Sequence, residues 1–265
     1  LLEELFQGKP KDSLVKTFLK LNSFSHQKNG RSLVDSERQI RRKLAAFKGV
    51  LREELPGQKG AIDMLAHSYE VHCRIPPSRG PFGPITVLGP YAAGMDRVGT
   101  ALAAALSKAE GTEHSYCNVR QDDLDSFEGS AKAGVLLFDK IESADEGVQS
   151  TISAALASGK LGDANMRKSW TVFTTDLGKS FFTSANESGI LRTANFHKAE
   201  LFDILSSEKA DSPFDSDGLA LDPRLVNQMR SGGVAVLSKL DATDFFELMD
   251  KKLQEIHEDE ASVLP

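Results

Sequence analysis

Residues 86–106 read "TVLGPYAAGMDRVGTALAAAL": an apolar segment, a turn of small residues, then an alanine-rich helical pattern. Gly89 and Gly94 stand at the spacing of a phosphate-binding loop, G-x-x-x-x-G-K-[ST]. In such a loop backbone N–H groups cradle phosphate, while the lysine and the hydroxyl supply charge and hold a metal ion. Here the two positions after Gly94 are Met95 and Asp96. The glycines that let the chain turn sharply between strand and helix are kept. The groups that serve only an anionic ligand are gone. Asp96 would oppose phosphate, since like charges about 4 Å apart cost about 4 kcal/mol at an effective dielectric of 20.

On either side of this turn the pattern alternates. "ITVLG", "HSYCNV", "AGVLLFDKI", "WTVFTTDLG" and "GGVAVLSKL" are short apolar runs suited to strands, three of them to strands buried on both faces. Between them lie helical patterns, among them "RVGTALAAALSKA" and "ADEGVQSTISAALASGKL", the latter bounded by Asp145 and Gly159. "GAIDMLAHSYEVHCRI" is a helix before the first strand, and "PPSRGPFGP" is read as a loop. Strands alternating with helices predict an α/β fold with a doubly wound, mainly parallel sheet. Three parts are expected. Residues 1–55 form a helical N-terminal extension, with a break at Lys28-Asn29-Gly30. Residues 56–240 form the α/β domain, in which 179–222 carry only short helices. Residues 241–265 form a C-terminal helix capped by Asp241 or Thr243, as a truncated helical lid.

The 265 residues are 40% apolar and 26% charged, which is the composition of a soluble globular chain, and no apolar run approaches membrane-spanning length. Cys73 and Cys117 lack metal-ligand spacing, so a reducing cytoplasm and no metal site are expected. His72 beside Cys73 does not alter this, because neighbours on a helix point apart. The net charge of −6 is unevenly spread: residues 1–55 sum to +5 and residues 198–265 to −8. Arg38, Arg41, Arg42 and Lys43 lie beside a Leu44, Phe47, Val50, Leu51 stripe, the pattern of a helix packed on a body with its basic face in water.

The order of these pieces resembles the large ATPase subdomain of ClpA/ClpB-type AAA+ unfoldases, closest to their second ring. The likeness runs through "LPGQKGAIDMLAHSYEVHCRI", "ITVLGPYAAGMDRVGTALAAAL", "VLLFDKIESADEGVQSTISAALASGKLGDANMRKSWTVFTTDLG" and "DPRLVNQM…VAVLSKLDATDFFELMDKKLQEI", about three quarters of the chain. The resemblance implies a nucleotide-site position for each of several residues. Met95 stands where the family has its lysine and Asp96 where it has Ser or Thr. Asp139 matches the Walker B acid, but Lys140 replaces the water-activating glutamate. Asp176 replaces the sensor asparagine, and Gln228 stands at the arginine finger. Gly57 and Gln58, of the G-Q pair, and Arg230, as a displaced finger, are the residual nucleotide contacts it implies. The pore loop is missing too: "RQDDLDSFEGSAKAG" is too short for the family's helix and loop, and its one aromatic, Phe127, reads as a core anchor.

Hydrolysis on this fold is positioning plus electrostatics. Losing one such group commonly costs about 10²–10³ in rate, and an arginine finger about 10³–10⁵. With lysine, hydroxyl, glutamate and finger all replaced, no catalytic residue and no cofactor are expected, and Lys140 is expected to pair with Asp96 or Asp176. The first reading is a pseudo-ATPase acting as a protein–protein scaffold or adaptor, with an active AAA+ partner or in a homo-oligomer. The second is an ATP-binding AAA+ ATPase using ATP or ADP with Mg²⁺ and displaced catalytic groups. A third, nucleic-acid binding through Arg38 to Arg52, is disfavoured by the acidic balance. "GKS" at 178–180 lacks the upstream glycine of a phosphate loop and reads as a turn.

Overall fold

The computed structural model describes residues 33–75, 81–90, 93–119, 133–162, 164–178, 198–207, 209–210 and 219–240, with 242–244, 246, 249, 250 and 253. The expected break at Lys28–Gly30, the Phe127 interval, Lys179, Ser180 and the Asp241 cap lie outside these residues. Two compact units divide between Lys43 and Leu44. Of the first, only the start of helix α1 (Leu33–Glu54) is described, with Arg38, Arg41 and Arg42 exposed and Arg41 paired to Glu37 one turn earlier.

The second unit begins on the same helix. From Leu44 onward α1 turns Phe47 and Leu51 fully inward, and Leu55, just past its end, is buried with them, so this half belongs to the α/β core. There follow α2 (Lys59–Arg74), β1 (Phe82–Leu88), α3 (Arg97–Glu110), β2 (Ser115–Asn118) and β3 (Ala133–Phe138). A 3-10 turn (Ile141–Ser143) leads to α4 (Glu146–Ser158), the short hairpin β4–β5 (Lys160–Leu161, Ala164–Asn165) and β6 (Trp170–Thr174). Helix α5 (Lys198–Ser207), the hairpin β7–β8 (Lys209–Ala210, Leu219–Ala220), α6 (Pro223–Ser231) and β9 (Gly233–Val236) complete it.

Five strands form one parallel sheet in the order β2-β3-β6-β1-β9. Period-two alternation splits its apolar runs between two faces. Ile85, Val87, Val135, Leu137 and Val172 pack against α1, α2 and α3, while Leu88, Leu136, Phe138 and Phe173 pack against α4, α5 and α6. Each face carries an aromatic stack: Phe47 on Tyr69 at 4.4 Å and Phe138 on Phe173 at 4.9 Å. His72 lies edge-on to Phe82 at 3.7 Å and near Trp170 at 5.5 Å, so it belongs to an aromatic cluster. Among the described residues no three His, Cys, Asp or Glu side chains gather to hold a metal, and no helix is long and apolar enough to cross a membrane.

Local signals set the helix ends. Asp145 accepts the Val148 N–H at 2.8 Å to cap α4, and Gly159 closes that helix in the left-handed region at φ 74°. Two local readings change: the 179–222 interval, expected to carry only short helices, also holds the antiparallel hairpin β7–β8, and one boundary shifts. The Pro/Gly-rich stretch does not remain a loop as far as Pro84, because β1 starts at Phe82, whose N–H donates to Ser169 O at 2.8 Å. The pairing with β6 slips between Phe82 and Ile85, and Gly83 takes up the irregularity at φ 100°, where a side chain would also meet Thr171 O.

Gly232, between α6 and β9, has no room for a side chain: a Cβ would lie 1.7 Å from the Pro84 carbonyl oxygen. Gly232→Ala is expected to destabilise the protein by about 3 kcal/mol in urea unfolding, since backbone and not a side-chain tip must move. Gly49→Ala, on α1 with nothing within 4 Å of the added carbon, is expected to stabilise by about 0.5–1 kcal/mol in the same measurement.

Candidate nucleotide-type site at the strand ends

In an open parallel sheet, ligands bind beyond the carboxyl ends of the strands, where the strand order reverses. Here β1 runs between β6 and β9, and its end leads into the glycine turn. The two glycines answer different needs. Gly89 is required by space, since a Cβ would come 2.9 Å from Leu237 Cβ and 3.3 Å from Ala93 Cβ. Gly94 has open space around it and is required by its φ of 81°. Met95 is half-buried against the core of the first face, and Asp96 is exposed at the N-cap of α3. A carboxylate at that end is favoured by the helix dipole, so the helix carries its own anion where phosphate would sit.

Strands β3 and β6 are paired with Phe138 opposite Phe173, so the residues that follow each strand meet. The Thr174 hydroxyl accepts the Lys140 N–H at 2.8 Å and itself donates to Asp139 Oδ1. Lys140 sits at φ 51°, and its ammonium lies 3.5 Å from Asp176 Oδ2. With Lys140 57% exposed, that ion pair is worth at most about 1 kcal/mol. It nevertheless sets where the ammonium rests. Beneath it Glu142, only 5% exposed, accepts the Asp176 N–H at 2.8 Å through Oε1, while Oε2 is buried without a partner. Burial in apolar surroundings, helped by the nearby Asp176 charge, raises the Glu142 pKa against its hydrogen bonds.

At the other flank, Gln58 is 3% exposed and both ends of its amide are engaged. Its Nε2 donates to Ser238 O at 2.9 Å, and its Oε1 accepts the Ser238 N–H at 2.7 Å. Gly57, at φ 73°, has the Asp244 carboxylate so close that a Cβ would lie 2.3 Å from it. The structure thus gathers Gly89, Gly94, Met95, Asp96, Asp139, Lys140 and Asp176 on the carboxyl ends of β1, β3 and β6. It does not bring Gln228 or Arg230 there. Both lie on the last turn of α6, which ends beside Pro84 where the strands begin. Gln228 donates to Ser153 O at 2.9 Å, and Arg230 pairs with Asp203 and lies 5.8 Å from the Phe202 ring centre.

Sequence reasoning missed Glu142, Thr174 and Tyr116. Tyr116, on β2, rests its ring against Gly99, the third residue of α3. Burial first, then the charges of Asp139 and Asp96, raise its pKa, while an Asn118 side-chain hydrogen bond opposes them. A glycine inside an otherwise alanine-rich helix was the available signal for this contact.

No family model matches the chain, and no curated protein does so significantly. Solved structures do. A closed-state cryo-EM reconstruction of Hsp104 with ATPγS and FITC-casein superposes with a TM-score of 0.54 at 17% identity, over 87% of this chain and 39% of that one. The extended S. cerevisiae Hsp104–casein complex gives 0.57 at 16% identity, over 89% and 42%. The chain therefore shares the α/β fold of the matching part of these Hsp104 structures, and it spans about two fifths of their length.

Gln58→Ala is expected to cost about 2–4 kcal/mol of unfolding free energy, because it strands the N–H and C=O of Ser238 together. Glu142 supplies a pH test. Its folded-state pKa is raised, so the folded protein binds this proton more tightly than the unfolded chain. The resulting stability is present in acid and lost as pH rises through the folded value. Glu142→Gln keeps a carbonyl for the Asp176 N–H and removes the titration. Its melting temperature is expected to gain on the wild type as pH rises from acid to neutral.

Proposed function

We propose that this chain is a catalytically inactive, AAA+-like module that serves as a protein–protein scaffold or adaptor, beside an active AAA+ partner or within an oligomer. The observation that carries the reading is the internal pairing of its strand-end groups. Asp139 is held by Thr174, Lys140 by Asp176 and Gln58 by Ser238, and Asp96 stands at the helix end that would meet phosphate. A triphosphate arriving there meets Met95 in the lysine's place and an acid in the hydroxyl's. Binding it requires breaking contacts already made and overcoming a repulsion of several kcal/mol. Removing one member of a catalytic set already forfeits most of its effect, and here the members are replaced together. The C-terminal segment supports the interaction role. Phe246, Met249 and Leu253 recur at helical spacing and are 62%, 43% and 58% exposed, the type of apolar surface that protein contacts cover.

A second reading, an ATP-binding module, is favoured by the neighbour determined with ATPγS and by the retained Asp139. The same neighbours were determined with casein, so polypeptide handling belongs to that reading. Titration with mant-ATP and magnesium separates the two. The scaffold reading expects no saturable fluorescence change up to millimolar nucleotide and no phosphate release above the no-protein rate. Micromolar affinity would overturn it. Steeply salt-dependent retention of DNA would instead revive a nucleic-acid role for the basic helix.

A further inference from the structure

Beside the strand-end site, between the ends of β2 and β3 and helix α4, the fold leaves a cavity of about 250 Å³. Val119, Phe138, Ile141, Ala144, Val148 and Ile152 form its apolar wall, and all but the half-buried Val148 are buried. It opens where Asp139, Lys140 and Ser143 are exposed, at the end of β2, the outermost strand of the sheet. None of Gly89, Gly94, Met95 and Asp96 lines it, so it is distinct from the glycine turn.

Size narrows what the cavity takes. An apolar cavity of about 150 Å³ admits benzene, and pockets for drug-sized ligands run from about 300 to 1,000 Å³. One large apolar side chain lies between those limits. The mouth adds a charge requirement. The Ser143 hydroxyl donates its proton to Lys140 O at 2.7 Å, so toward a visitor it can only accept. The Lys140 ammonium is answered by Asp176 at 3.5 Å. Asp139 is a wall residue, and the exposed Asp145 and Glu146 stand between the wall residues Ala144 and Val148. Against these three acids the α4 dipole returns only about half a positive charge. Such a mouth repels anions and favours a donor that carries positive charge.

We propose that this cavity is a docking site for a partner polypeptide that inserts one apolar side chain, leucine, methionine or phenylalanine, next to a lysine or arginine. The inference rests on the scaffold reading above and gives it a contact point. The apolar anchor is buried in the cavity, and the flanking cation meets Asp139 and Glu146 at the rim.

The test selects random heptapeptides displayed on phage against the full chain, then measures fluorescence anisotropy of labelled synthetic copies. The selected peptides are expected to pair an apolar anchor with a cation. Val148→Phe, which fills the cavity from α4, is expected to weaken their binding by about tenfold or more. Asp139→Asn combined with Glu146→Gln is expected to weaken it by about threefold and to flatten its salt dependence. Thermal melts establish that each variant folds, and Ala144→Leu replaces Val148→Phe if the latter does not melt cooperatively. Peptides that bind the filled variant as tightly as the wild type overturn the inference. So does a selected set without cations, or a selection that yields no binder. Each of these results leaves the pseudo-ATPase reading standing, whereas nucleotide binding by the wild-type chain sinks that reading and leaves the peptide measurement as it is.

Discussion

The pairing of β1 with β6 on one side and β9 on the other governs the rest of this structure. From Ile85 to Leu88 the strand has no exposed residue, so its backbone bonds have no water to fall back on. Because every neighbour is parallel, the carboxyl ends of β1, β3 and β6 come out on one edge. Whatever follows those strands is placed together there, however far apart in sequence. Lys140 and Thr174, 34 residues apart, meet for this reason and no other.

The same constraint separates what the fold needs from what a ligand needs. Gly89 is fixed by the approach of Leu237 and Gly94 by its backbone angle; both demands persist with nothing bound. Met95, Asp96 and Asp176 are under no such demand, whereas Lys140, at φ 51°, keeps a backbone angle that glycine would adopt more readily. Met95 packs on the core, Lys140 and Asp176 form an ion pair, and Asp96 stands exposed at the start of α3 without capping it by a hydrogen bond. The likeness to Hsp104 at 16–17% identity speaks to the architecture that these glycines protect.

Much of this was legible in the sequence. Alternating apolar runs and helical patterns announced the parallel sheet, and Asp145 and Gly159 marked the ends of α4. The pairing of Lys140 with Asp176 was among those expected. Other features were hidden for physical reasons. The start of β1 looked like a loop because proline and glycine usually interrupt strands, whereas a register slip lets this one continue. The Gln58–Ser238 pair joins residues 180 apart, and no local pattern reports such a contact. Glu142 reads as one more acid in a charged stretch; it is buried by elements distant in sequence, with β7 and β8 against its 3-10 turn and the Asp176 N–H on its carboxylate.

The Gln58–Ser238 pair has a mechanical consequence. It stitches the chain just before α2 to the chain just after β9, the point from which the C-terminal segment departs. Asp244 against Gly57 adds a second point of contact along the same seam. A tug on the C-terminal segment therefore passes sideways into α2 before it reaches the sheet. A change at the start of α2 is therefore felt directly where the chain leaves β9, through two hydrogen bonds and no intervening strand.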